Sequence, residues 1–182
     1  MRDAGAPSCE QTISTIVLAP LQFANAGNSG SVCEDEASYT PTGFTPSGGS
    51  WSSPDLAIDA ATGTVVVSSA PAPGTYTLTY QLAGFCDATQ ELTIHEVPAV
   101  DFVSSVLLNV PQNFGGDFPV TLAVTNPEPG YTYVYDFGNG QTVGPTTSVS
   151  ETFVYRQAGD YTLRVTAQTP AQCSATATQA TL

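Results

Sequence analysis

The sequence predicts an all-β protein of two tandem β-sandwich domains with an orphan strand in front of them. Three observations lead there. Gly74-Thr-Tyr-Thr-Leu-Thr-Tyr80 and Gly159-Asp-Tyr-Thr-Leu-Arg-Val165 are two versions of one strand, with threonine alternating against aromatic or branched residues at period two. Their tyrosines, Tyr76 and Tyr161, are 85 residues apart, the length of one small sandwich domain. A cysteine heading a Thr-rich alternating segment occurs three times, at Cys9, Cys86 and Cys173, and in the first two copies a proline (Pro20, Pro98) stops the strand.

The three cysteine-headed strands set the boundaries. Two of them close the domains 20–97 and 98–182, so the copy within residues 1–19 reads as the terminal strand of a preceding repeat. The chain is then expected to be a window on a longer tandem array. An apolar strand of this kind needs a sheet. It is expected to complete an upstream domain of the same polypeptide or, by strand donation, a neighbouring subunit of a filament.

In chain order, Leu21 to Gly30 starts as a short strand and dissolves into turn residues. Pro46 to Ser50 is a turn cluster leading into Trp51, the single tryptophan, which is expected in the core of the first domain. Leu56 to Val67 reads as strand, turn at Asp59 to Gly63, strand. Ala70-Pro-Ala-Pro-Gly74 delivers the chain into the Tyr76 strand. A tyrosine directly after Gly-x at a strand entrance matches the tyrosine corner of Greek-key sandwiches, where the hydroxyl caps nearby backbone. Phe102 to Val110 and Phe118 to Thr125 read as strands, and Asn126 to Gly130 as a turn with two prolines.

Charge and cysteines bound the function. Sixteen acidic residues face three arginines and no lysine, for a formal net charge of −13. Such a field repels phosphate backbones and anionic membranes, which argues against nucleic-acid binding. The longest apolar run is far short of a membrane span, so no membrane insertion is expected. Cys33 and Cys86 lie near the two ends of the first repeat, and a bridge between them would close a 52-residue loop. It would add about 3 to 4 kcal/mol in the chain-entropy model. That bridge is expected to form and implies an oxidising, extracytoplasmic setting. Cys9 and Cys173 lack a counterpart within their own repeats and are expected either to be free or to form an intermolecular bond with a neighbour. With no Cys-x-x-Cys and one histidine, zinc is not expected.

Tyr131-Thr-Tyr-Val-Tyr-Asp-Phe-Gly-Asn-Gly140, followed by Thr152-Phe-Val-Tyr155 and Ala158-Gly-Asp-Tyr-Thr-Leu-Arg-Val165, resembles a PKD domain over most of residues 98–182. That family carries an aromatic-Asp-Phe-Gly-Asp-Gly motif, a Thr-x-x-Tyr strand and a Gly-x-Tyr-x-Val-x-Leu strand on an immunoglobulin-like sandwich. The chain departs from it at Asn139 and Tyr135, where aspartate and tryptophan are commoner. Asn and Asp both tolerate positive φ, so the turn logic is kept. Residues 20–97, with Cys33, Gly48-Gly-Ser-Trp51, the Gly-Thr-Tyr strand and Cys86, are similar to immunoglobulin-like repeats beside PKD modules in very large bacterial surface proteins. The resemblance implies an extracellular spacer, adhesive or carbohydrate-contact segment without catalysis, often secreted by the type IX route.

Each residue type with chemistry also has a plainer reading. His95 has no evident nucleophile beside it, and a nucleophilic triad is set against a solvent-facing residue on a terminal strand. Asp136, Gly138 and Gly140 fit a β-turn better than a phosphate loop, since no helix follows. Asp55 and Asp59 could begin a Ca²⁺ site, but the further oxygen ligands are missing and a turn is expected instead. Tyr131, Tyr133 and Tyr135 share one strand face, either as core or as a platform for stacking sugars. The expected structural residues are therefore Trp51, Tyr76, Tyr161, Asp136, Gly138 and Gly140. No cofactor and no catalytic residue is expected. The leading expectation is a non-catalytic structural or adhesive segment of a bacterial surface fibre. Its partners would be adjacent repeats, neighbouring subunits or extracellular glycans and proteins. The competing reading is a carbohydrate- or protein-binding accessory module of a secreted enzyme.

Overall fold

A computed structural model describes residues 22–105, 116–157 and 159–180. The segment expected as an orphan strand, and the end of the expected Phe102–Val110 strand, lie outside the described residues. The chain divides into two compact units at Glu96/Val97.

The first unit places β1 (Gly30–Cys33), β6 (Ala88–His95), β5 (Gly74–Gln81) and β3 (Ser50–Ser52) in one sheet, in that order. A short second sheet joins β2 (Ser38–Tyr39) to β4 (Val65–Val66), and a single 3₁₀ turn, Val67–Ser69, follows. Period two explains the layers. On β5 it turns Tyr76, Leu78 and Tyr80 inward, and on β6 it turns Gln90, Leu92 and Ile94 inward, leaving threonines outside. The inward set packs with Trp51, Leu56, Val65 and Val67 into one core. Fully burying a side chain such as Leu78 or Leu92 contributes roughly 1.5–3 kcal/mol.

One pairing in this unit is parallel. β1 runs alongside β6 from Gly30 opposite Leu92 to Cys33 opposite His95, and an isolated parallel bridge joins Phe23 to Cys86 farther back. The register rules out the expected Cys33–Cys86 bond. Cys33 sits at the His95 end of β6 and Cys86 before its first residue, so nine residues of extended chain separate the two positions. At about 3.3 Å per residue that is roughly 30 Å, against a disulfide limit of about 7 Å. Cys33 and Cys86 are each disulfide-bonded, but not to one another. Cys173, expected to be free or bonded to another molecule, is also disulfide-bonded, and no described cysteine is free. Cys9 lies outside the described residues.

The second unit is a fuller two-sheet sandwich. One sheet orders β10 (Thr142–Thr146), β9 (Thr132–Asp136), β12 (Thr162–Gln168) and β13 (Ser174–Ala180). The other orders β11 (Ser150–Tyr155), β8 (Phe118–Val124) and β7 (Phe102–Ser104). All its pairings are antiparallel among the described residues. Inward residues Val120, Leu122, Tyr133, Tyr135, Phe137, Leu163 and Val165 make its core. The outward faces carry paired hydroxyls, such as Thr166 with Thr176 at 2.7 Å and Thr121 with Thr152 at 2.7 Å.

Candidate functional site

The turn after β9 is where the sequence motif is densest. Asp136 ends the strand, and its Oδ1 accepts the Gly138 N–H at 2.8 Å, while Asn139 Oδ1 accepts the Gln141 N–H at 3.0 Å. These are Asx turns, in which a short side chain stands in for a backbone carbonyl. Gly138 has φ +70°, and a Cβ there would meet Thr162 O at 2.6 Å and Thr162 N at 2.7 Å. Only glycine lets the turn lie this close to β12. Gly140, at φ +84°, faces open space. The second carboxylate oxygen of Asp136 reaches Arg164, its pairing partner on the neighbouring β12, at 3.4 Å. The motif thus builds a strand-connecting turn, and its carboxylate is used within the fold.

Phe137, between Asp136 and Gly138, is fully buried and receives the Tyr155 hydroxyl on its carbonyl. Phe137, Phe153, Tyr155 and Tyr161 then run as a chain of ring contacts with centroids 5.3, 4.9 and 4.3 Å apart. Burial, with smaller contributions from Tyr161 and Asp136, pushes the Tyr155 phenol up to about 12.

Tyr76 and Tyr161 make the same bond. The Tyr76 hydroxyl donates to the Ala72 carbonyl, and the Tyr161 hydroxyl donates to the Gln157 carbonyl at 3.0 Å, each four residues upstream. Each tyrosine stands at the entrance of its unit's penultimate strand, β5 or β12.

The alternating tyrosines resolve as core. Tyr133 and Tyr135 are buried, and Tyr131 packs against the same cluster. Tyr135 donates to Ser148 O at 2.7 Å, and Tyr133 accepts the Glu128 N–H at 3.1 Å. The Tyr135 phenol is pushed up to about 12 by burial first, then by Glu151 and Tyr133. These three rings form no exposed stacking platform. Trp51 is also buried, in contact with Phe44 at 5.4 Å and Tyr80 at 4.9 Å between ring centroids. Gly63, at φ +74°, lies under the indole, where a Cβ would come within 2.9 Å of the ring.

Asp59 accepts from the backbone of Ala61 and Thr62 and from the Thr62 hydroxyl at 2.8–2.9 Å. The Thr62 bonds, led by its backbone N–H, hold the carboxyl below the usual carboxylate range. Asp59 is a turn residue, and no described group of His, Cys, Asp or Glu could hold a metal. His95 is the exception to the sequence reading. Its Nε2 lies 2.9 Å from Ser31 Oγ, because the parallel β1–β6 pairing brings together residues 64 apart. No described carboxylate is hydrogen-bonded to the ring.

Two interactions had only faint sequence signals. Gln90 is buried on β6 at the same parity as Leu92 and Ile94, and that polar residue in an apolar row is the clue. Its amide, turned so that nitrogen faces the carbonyls, donates to Ala26 O at 2.9 Å and Asn28 O at 2.7 Å. The Tyr80 hydroxyl donates to Pro46 O at 2.5 Å and accepts from Gly49 N at 2.8 Å, pinning the turn before Trp51. A shallow cleft of about 280 Å³ lies between Glu34, Val67, Ile94 and the Ala70 to Pro73 strap. Its lining offers one carboxylate and no nucleophile–base pair. No described helix is long and apolar enough to cross a membrane.

Comparison with known proteins bears on the same two units. Residues 118–182 match the PKD domain family. None of the curated proteins matches the sequence. Among solved structures, the N-terminal eight immunoglobulin domains of the Down Syndrome Cell Adhesion Molecule superpose with a TM-score of 0.51 at 11% identity. That match covers 89% of this chain and 24% of the other, so the chain spans about a quarter of that relative. Fibronectin(III)-like modules of Clostridium thermocellum CbhA give 0.42 at 11% identity, covering 91% and 90%. Drosophila OTK extracellular domains 3–5 give 0.39 at 13%, covering 88% and 59%. At 11% identity the likeness to the eight immunoglobulin domains is one of fold alone. The chain carries a PKD domain, and the repeat in front of it is immunoglobulin-like in fold.

Proposed function

We propose that this chain is a non-catalytic extracellular segment that spaces or joins parts of a bacterial surface fibre built from tandem immunoglobulin-like domains. The observation that carries the reading is where the chemistry-bearing residues go. Tyr76, Tyr80, Tyr133, Tyr135, Tyr155 and Tyr161 all use their hydroxyls on the chain's own backbone, and Asp59 and Asp136 close turns. PKD and immunoglobulin-like domains are commonly structural modules, and the structural neighbours include a cell adhesion molecule. Disulfide-bonded cysteines fit an oxidising compartment. On this reading the partners are adjacent repeats of the same polypeptide or neighbouring subunits, through strand donation or side-by-side contact. Antibodies against the two-unit chain are expected to label the outside of intact source cells, and the purified chain to bind nothing on a glycan array. Label confined to the cell interior would end the surface reading. Selective retention of one glycan would favour the accessory module of a secreted enzyme.

A further inference from the structure

We infer that β13 pairs edge to edge with β13 of a second copy of this chain, antiparallel and about a twofold axis at Ala177, so that two four-stranded sheets become one continuous sheet. Only one side of β13 is used within the fold, where all seven of its residues face β12. No described residue pairs with its other side, so every second N–H and C=O along Ser174–Ala180 points away from the sheet. The equivalent side of β6 in the first unit is taken by β1. The other long or open edges among the described residues are blunted. β10 contains Pro145 and loses register between Val143 and Thr146, and β11 carries Glu151. β3 and β7 are three residues long, and β1 is four residues long and runs into Glu34, Asp35 and Glu36. β13 has none of these guards. Ser174-Ala-Thr-Ala-Thr-Gln-Ala180 holds no charge, proline or glycine, and its threonines favour an extended backbone.

Charge and register select a second copy as the occupant. The chain carries a net charge of −13, so two copies repel wherever their carboxylates meet, and an uncharged edge is where they can close. A basic partner would be drawn to the carboxylates elsewhere on the chain and not to this strand. β13 is also complementary to itself. Turned about Ala177, it sets Thr176 opposite the partner's Thr178 and Ser174 opposite the partner's Ala180, and the outward positions of both copies stay on one face of the joined sheet. Thr176 and Thr178 are exposed, while Ala175 and Ala177 are half-buried on the inward face. Threonine opposite threonine is the pairing the chain already uses on its outward faces, at Thr166 with Thr176, Thr121 with Thr152 and Thr75 with Thr93. One such pairing, about 23 Å long, buries less than the roughly 1,200 Å² of a stable interface, so a single contact should be weak, with a Kd of about 0.1 mM. Repeated between neighbouring fibres, contacts of this kind reinforce one another through their effective concentration.

The inference rests on the surface-fibre reading for its setting and names one of its side-by-side contacts. The two fail separately, because association is measured in solution and display on cells. The full chain, with its disulfides intact, would be followed by sedimentation equilibrium up to about 1 mM protein at physiological salt. It should form dimers and no larger species, and added NaCl should tighten them by screening the mutual repulsion. Thr176→Glu sets a carboxylate of each copy into the junction and should raise Kd about tenfold or more. Ser150→Glu places the same charge on the exposed edge of β11, away from the junction, and should leave Kd within about twofold of wild type. Thr176→Glu mixed with Thr178→Lys should give heterodimers tighter than either variant forms alone, because the new carboxylate then lies opposite the new ammonium. A merely misfolded variant would show no such gain. The inference is overturned if the chain stays monomeric throughout that range or grows beyond dimers. It is equally overturned if Thr176→Glu associates as wild type does, if Ser150→Glu weakens association as much as Thr176→Glu, or if mixing the two β13 variants gives no gain.

Discussion

Replacing Tyr76 or Tyr161 by phenylalanine removes the hydroxyl's bond to the carbonyl four residues upstream, and at Tyr76 also a 3.4 Å contact from the Ala72 N–H. Each substitution should cost about 1 kcal/mol, and each only in its own unit, as two calorimetric transitions would report. The glycines of the β9 turn separate more sharply. Gly140→Ala incurs the left-handed backbone penalty, about 1 to 2 kcal/mol, because a Cβ there meets open space. Gly138→Ala incurs that and also drives a Cβ into the Thr162 backbone, so it should cost at least twice as much in the same urea titration. Both the Gly-x-Tyr entrance and the Asp-x-Gly turn could be read directly from the sequence, because their hydrogen bonds join residues within four positions, whereas the Thr162 backbone that Gly138 must approach lies 24 residues away. Gln90 and the Ser31–His95 contact could not, since both depend on a strand pairing that joins residues 62 to 64 apart.

Among the elements, β9 and β11 carry the buried phenols Tyr135 and Tyr155, both held up to about 12. A group whose folded value lies above its unfolded value, near 10, stabilises fully below 10, and that contribution is lost as pH rises through 12. The second unit should therefore lose stability steeply between about pH 10 and 12. Tyr135→Phe should be less stable at neutral pH through its lost bond to Ser148, yet show a shallower alkaline decline in a melting-temperature profile. An equal slope in the two proteins would contradict the assignment. Period two made β5, β6, β9 and β12 legible from alternation alone. The parallel placement of β1 was not legible, because alternation carries no strand direction. The expected Cys33–Cys86 bond failed for that reason: placing two cysteines at the ends of one repeat says nothing about which end of the sheet each occupies.

Across the whole molecule the charge is unevenly compensated. Residues 22–96 hold eight carboxylates and neither lysine nor arginine, whereas the second unit has Arg156 and Arg164, each within 3.1–3.4 Å of an aspartate. Salt screens repulsion between exposed charges, with a screening length of about 8 Å at physiological strength. Raising NaCl from low to physiological levels should thus lift the first unit's melting temperature more than the second's. Two equal shifts would show that the carboxylates lie too far apart to matter. The same scarcity of cations has an enzymatic consequence. Proteases that cut after basic residues find only two such bonds among the described residues, one following Arg164 inside β12 and one following Arg156, tethered to Asp117 between β11 and β12. A chain of this composition gives digestive enzymes of that class a single accessible point of attack in its described part, and residues 22–96 give them none.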